Sequence, residues 1–252
     1  MARALLLLLL LPTGAHASEP PAGLACLGRY YAVTPILEGG AWWMTLPDGA
    51  RLPWDDGRVK SLDERLESPD GKDLFAIPYR TGPLRAVDDP ADDPGRSRIA
   101  TLFAATFPAS ARVSVDFVGH HVRFAGRAAA ALGRVSARLE KAIASDPTLV
   151  KYLTHLGGTI AERRIAGTDR PSAHSYGIAI DIDTDHSDYW RWQRGARRWR
   201  NRIPAAIVDA FEAEGFIWGG RWYHFDTMHF EYRPELLDEK CRAKEGTSGA
   251  AK

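Results

Sequence analysis

Isoleucines at 178, 180 and 182 alternate with Ala179, Asp181 and Asp183. A period of two is that of a half-buried strand, with the isoleucines on one face and the carboxylates on the other. Helical spacing occurs elsewhere: Leu132, Val135, Leu139 and Ile143 fall three or four apart and predict a strongly amphipathic helix. A second helix is predicted over 204–214. Pro204 suits a first helical position, Ile207 and Phe211 are four apart, and Gly215 fits just past the end. Aromatic and β-branched runs predict strands in GRYYAVTPI (28–36) and GAWWMTL (40–46), with Pro47-Asp48-Gly49 as a turn. The polar, Pro- and Gly-punctuated stretch 58–100 predicts loops around a short strand, LFAIPY (74–79). RVSVDFVGHHVRFAG (112–126) reads as a strand or hairpin, and FIWGGRWYHFDTMHFEY (216–232) as a hairpin turning at Gly219-Gly220. Strands and helices therefore alternate irregularly, without repeated βαβ units. That order predicts an α+β fold, an antiparallel sheet with flanking helices, preceded by a β-rich N-terminal region.

The first residues change the setting in which this fold would work. Arg3 precedes a short apolar run, Leu5 to Leu11, and Ala15-His16-Ala17 offers the small-x-small pattern of a cleavage site. Residues 1–17 are expected to be a cleaved signal peptide, since the run is too short for a permanent membrane span. No later segment is long and apolar enough for stable insertion, so the expected location is secreted, in the periplasm or cell envelope. An exported chain meets oxidising conditions, and a disulfide between the only two cysteines, Cys26 and Cys241, is then expected. Thirty-three Lys and Arg against thirty-two Asp and Glu leave a net charge of +1, which argues against a nucleic-acid binder. The expected division is an accessory region over 18–100, a domain carrying the candidate chemistry over 101–242, and a flexible tail over 243–252.

Two stretches concentrate metal-ligand types. One holds His174 and Asp181; the other holds His224, Asp226, His229 and Glu231. Catalytic zinc takes three ligands from His and Asp or Glu and keeps one position for water, whose pKa it lowers toward about 7. A neighbouring carboxylate can then carry a proton from that water to a leaving amine. Residue types alone leave open whether His224 or His229 is the later ligand, and whether Asp226 or Glu231 is the base. Gly177 would permit the bend between His174 and the strand. Asp183 reads as a strand-end cap, and His120, His121 and His155 as structural.

SAHSYGIAID (172–181) fits the pattern Ser-x-His-x-x-Gly-x-Ala-x-Asp, and DTMH (226–229) fits acid-x-x-His. Together they resemble the zinc D-Ala-D-Ala carboxypeptidase family, which includes peptidoglycan L-Ala-D-Glu endopeptidases of phage endolysins. The resemblance runs from about Arg163 to Pro234. It implies a zinc fold of the Hedgehog and DD-peptidase type, with zinc bound by His174, Asp181 and His229. It implies Asp226 as general base and acid, and Arg163 as the group that holds the carbonyl oxygen as it becomes an oxyanion. Ser172, Trp222 and His224 would contact substrate, the peptide stems of peptidoglycan. The carboxypeptidase branch usually carries Glu where this chain has Asp226, so the resemblance leaves both terminal D-Ala removal and cleavage within the stem. A non-catalytic cell-wall module on a related zinc fold is the rival expectation.

The run WRWQRGARRWRNR (190–202) holds six arginines and three tryptophans. It reads either as a groove for an anionic or sugar-bearing polymer or as a solvated loop whose tryptophans pack on the core.

Overall fold

A computed structural model describes residues 18–165 and 168–242. The expected signal peptide and tail lie outside the described residues. The chain opens with helix α1 (Ala22–Tyr31) and a three-stranded antiparallel sheet, β1 (Thr34–Glu38), β2 (Ala41–Thr45) and β3 (Arg51–Pro53). A short helix α2 (Leu62–Glu67) and helix α3 (Ala100–Thr106) lead to a two-stranded hairpin, β4 (Arg112–Phe117) and β5 (His120–Ala125). The long helix α4 (Gly126–Ser145) follows. The last sheet has the order β6 (Ala179–Asp181), β8 (His229–Tyr232), β7 (Phe216–Trp218), all antiparallel, with helix α5 (Ala205–Glu212) entering β7. The mixture of α and β with small antiparallel sheets matches the α+β expectation.

Several local expectations are corrected. GRYY is the end of a helix, not a strand. Leu24, Leu27 and Tyr31 sit three and four apart, and all three are fully buried on one face of α1. That face outweighs the β preference of the two tyrosines. LFAIPY is not a strand either. Lys72–Phe75 is a 3-10 turn whose Asp73 accepts from the Asp70 and Ala76 main-chain N–H groups through its side chain and carbonyl respectively. Gly219-Gly220 is not a hairpin turn: a 3-10 turn (Gly219–Arg221) begins a longer connection between β7 and β8. Pro204 caps α5 from just outside it. The isoleucine strand is shorter than its pattern and buried on both faces, from Ile178 to Asp183. Its acid face is covered by the site described below.

One apolar core runs from Leu24 to Phe230. It takes Leu132, Val135 and Leu139 from α4, Ile207 and Phe211 from α5, and Ile178, Ile180 and Ile182. Phe230 stacks on Phe211, with ring centroids 3.9 Å apart, which fixes the register of β8 against α5. Alternation along β8 then sends His229 and Glu231 to the opposite face.

Cys26 and Cys241 are disulfide-bonded, 215 residues apart, with Cα atoms separated by 5.5 Å. The bond ties α1 to the last described turn, where Arg29 also pairs with Asp238 at 2.8 Å. Closing so long a loop removes much of the unfolded chain's freedom. The Cys26→Ser/Cys241→Ser double variant should lose about 2–5 kcal/mol of unfolding free energy, read by urea denaturation against the oxidised protein.

Candidate metal centre and cleft

The site is assembled by strand register. Asp181 of β6 stands directly across from His229 of β8. Residues opposed in this way hold their side chains about 5 Å apart at Cβ, close enough to share one partner. His174 arrives from the 3-10 turn Ala173–Tyr176, which Gly177 ends at φ 69°, its N–H donating to the carbonyls of Ala173 and His174. That left-handed residue turns the chain from His174 into β6, as its spacing predicts.

Three ligand atoms converge. His174 Nε2 lies 3.1 Å from both Asp181 Oδ1 and His229 Nδ1, and His229 Nδ1 lies 2.9 Å from Asp181 Oδ1. All three residues are buried. Their outer hydrogen bonds fix which atoms face inward. His174 Nδ1 is 3.1 Å from the Thr159 carbonyl, which can only accept, so that nitrogen carries the proton. His229 Nε2 is 3.1 Å from Glu231 and donates to its carboxylate. Both imidazoles therefore aim lone pairs at Asp181.

Three electron-rich atoms this close require a positive charge among them. In the protein alone a proton supplies it. Burial would depress the His229 pKa, but Asp181 and Glu231 outweigh burial and push it up to about 9. Burial would raise the Asp181 carboxyl, yet its close contacts with His174 and His229 hold it well below the usual range. A divalent ion meets the same requirement. Tetrahedral zinc with bonds of about 2.0–2.1 Å separates its ligands by about 3.3 Å, near the edges of this triangle. The donor set thus fits zinc in chemistry and in size.

On the His229 side of this triangle lies a cleft of about 180 Å³, walled in part by Arg163, Ser172, Trp222, His224, Asp226 and His229. Every catalytic or substrate-contacting residue that the resemblance implies outside the metal triad reaches this one space. Asp226 precedes β8 on a firmly held loop: its N–H donates to the Gly219 carbonyl at 3.0 Å, and Thr227 exchanges bonds with Asp188. Gly219 is required here, because a Cβ on it would fall 2.3 Å from the Asp226 carbonyl oxygen. Asp226 Oδ1 is enclosed and has no hydrogen-bond partner. Burial, and then the negative charge of Asp181, push this carboxyl up to about 7. Arg163 is half exposed, its guanidinium 3.6 Å from Asp181. Trp222 lies edge-on to His229 with centroids 5.4 Å apart. His224 donates from Nδ1 to Asp93 at 2.5 Å and packs against Trp190.

Glu231 points away from the cleft. It accepts from His229 on one side and pairs with Arg98 at 2.7 Å and Arg233 at 3.3 Å on the other, all buried. It is therefore an orienting partner of His229. Asp183 accepts from the main-chain N–H groups of Asp185 and His186, a cap as expected. His120 reaches the Leu153 carbonyl and His121 pairs with Asp116, both away from the cleft. Sequence reasoning missed Asp93, Arg96 and Arg98, which come from the loop-rich stretch before α3 and join the cleft or its supports. A buried Asp93 among exposed acids carries no local pattern, so nothing in the sequence marks it.

Burial alone would raise the Glu231 carboxyl, but Arg98, His229 and Arg233 bring it down to about 2. A carboxyl lowered on folding stabilises above its unfolded pKa, and that contribution fades as pH falls toward the folded value. Glu231→Gln should cost about 3–5 kcal/mol at neutral pH, because it strands buried guanidinium charge. In urea titrations the gap between parent and variant should narrow steadily below pH 4.5, the ordinary value for this side chain.

The strands and turns that carry the triangle and Asp226 coincide with the region of likeness to known proteins. Residues 166–232 match the family model described as D-alanyl-D-alanine carboxypeptidase, so this segment is similar to that family.

Proposed function

We propose that the chain is a secreted zinc metallopeptidase that hydrolyses peptide bonds in peptidoglycan stems. The observation that carries this reading is the convergence of three lone pairs beside a cleft in which Asp226 presents an enclosed, unpartnered carboxylate oxygen. The family match supports peptidase chemistry, and the disulfide accords with an oxidising compartment. Residues 101–242 hold the metal triad and the base. Residues 18–100 form an accessory region that lends Arg96 and Arg98 to the cleft and Asp93 to His224.

His174, Asp181 and His229 would hold zinc, which supplies Lewis acidity toward water and toward the scissile carbonyl. Asp226 takes the proton of the attacking water at its carboxylate and returns it to the departing amine. A carboxyl held near neutrality is suited to both steps, since its proton is neither bound nor released at great cost. Arg163 brings positive charge to the side of the cleft where the carbonyl oxygen becomes negative. Ser172, Trp222 and His224 shape and hold the stem. The last of these is kept in one tautomer by Asp93, so its Nε2 is the acceptor left for substrate.

A cell-wall binding module on the same frame has no need of an acid at position 226, which separates the two readings. Asp226→Asn should retain zinc and lose about 10²–10⁴ of turnover, checked by metal content and by initial rates on purified stem peptides. Digesting sacculi with and without chelator and weighing the products identifies the bond. A terminal D-Ala released marks a carboxypeptidase, and a new D-Glu amino terminus marks an endopeptidase. Absence of any chelator-sensitive product would overturn the peptidase reading.

A further inference from the structure

A hollow of about 450 Å³ lies beside the cleft and is formed largely by the arginine-rich run. Tyr189 walls both spaces, so the hollow adjoins the cleft. The run divides by role. Trp199 belongs to the fold: it packs against the core and donates to the Gly220 carbonyl at 2.8 Å. Arg197 stacks on Tyr223 at 3.9 Å and reaches Asp88, and Arg202 is spent on Asp188. Arg194, Arg198 and Arg200 are different. They are exposed, they line the hollow, and among the described residues none of them has a carboxylate within ion-pair distance. Their loop is not slack, because Gln193 clamps Arg198 through both its N–H and its carbonyl at 2.8 and 2.6 Å. Trp192 stands 56 % exposed at the rim, edge-on to Tyr189.

A nearly neutral protein that gathers three unpaired guanidiniums and an open indole beside its cleft has built an anion-selective surface. We propose that Arg194, Arg198 and Arg200, with Trp192, form a docking groove for the carboxylate-bearing peptidoglycan strand that flanks the bond being cut. Guanidiniums pair with carboxylates of neighbouring stems, and the indole face stacks on sugar. The identity of the strand rests on the proposed function; the anion selectivity rests on the arginines. Each exposed pair contributes modestly and is screened by salt, so the groove favours a polymer that engages several at once over a single short peptide.

The test is cosedimentation with purified sacculi, freed of phosphate polymers, over a range of salt. It uses the full chain carrying Asp226→Asn, with and without R194Q/R198Q/R200Q. The triple variant should bind roughly tenfold more weakly, with a shallower salt dependence, at an unchanged unfolding midpoint. The R194K/R198K/R200K variant should recover most of the binding. Sacculi with amidated carboxylates should bind the parent as weakly as native sacculi bind the triple variant. Unchanged binding by the triple variant, or full binding to amidated sacculi, overturns the groove. So does equally tight arginine-dependent binding to duplex DNA at the same salt. If binding follows the arginines while the wild type cuts no stem, the peptidase reading falls and the groove stands.

Discussion

Three lone pairs held about 3 Å apart cannot persist without a cation among them, and the architecture around this triangle exists to hold them there. Asp181 and His229 are brought face to face by strand pairing, and His174 is swung in by a single left-handed glycine. The outward hydrogen bonds to Thr159 and Glu231 then decide which ring nitrogens look inward. Support does not stop at those partners. Glu231 is balanced by Arg98 and Arg233, Arg233 by Glu235, and Glu235 accepts from Tyr31 of α1. A buried polar relay thus runs from the centre to the first helix. Each member is satisfied by the next, which is the condition under which such networks rigidify a fold.

The centre itself was legible because its parts are close in sequence. Asp181 lies seven positions after His174, with the glycine between them, and His229 three positions after Asp226, so local spacing carries the geometry. The supports were not legible. Arg98 and Glu231 lie 133 residues apart, and His224 and Asp93 lie 131 apart, distances over which no periodicity speaks. Local errors have equally plain causes. Tyr30 and Tyr31 favour strands in isolation, but the stripe made by Leu24, Leu27 and Tyr31 buries better as a helix. Gly219 and Gly220 read as a turn because two glycines usually make one. Here Gly219 is small because the Asp226 main chain presses against it.

The arginine-rich run shows that one segment can satisfy both of its rival readings. Trp199, Arg197 and Arg202 are structural, and their consumption leaves Arg194, Arg198 and Arg200 facing an open hollow. Composition alone could not divide them, since the division depends on which partners arrive from residues 88 and 188.

The alternation of β8 has an evolutionary corollary. Phe230 faces the core while His229 and Glu231 face the centre, so losing or gaining one residue within that strand would invert the arrangement and abolish site and core together. The stretches that wall the cleft, near 93–98 and 188–202, sit in loops outside the strands and answer to no such parity. Descendants of this scaffold are therefore free to lengthen, shorten or recharge those borders and so change what they grip, while the buried triangle is inherited intact.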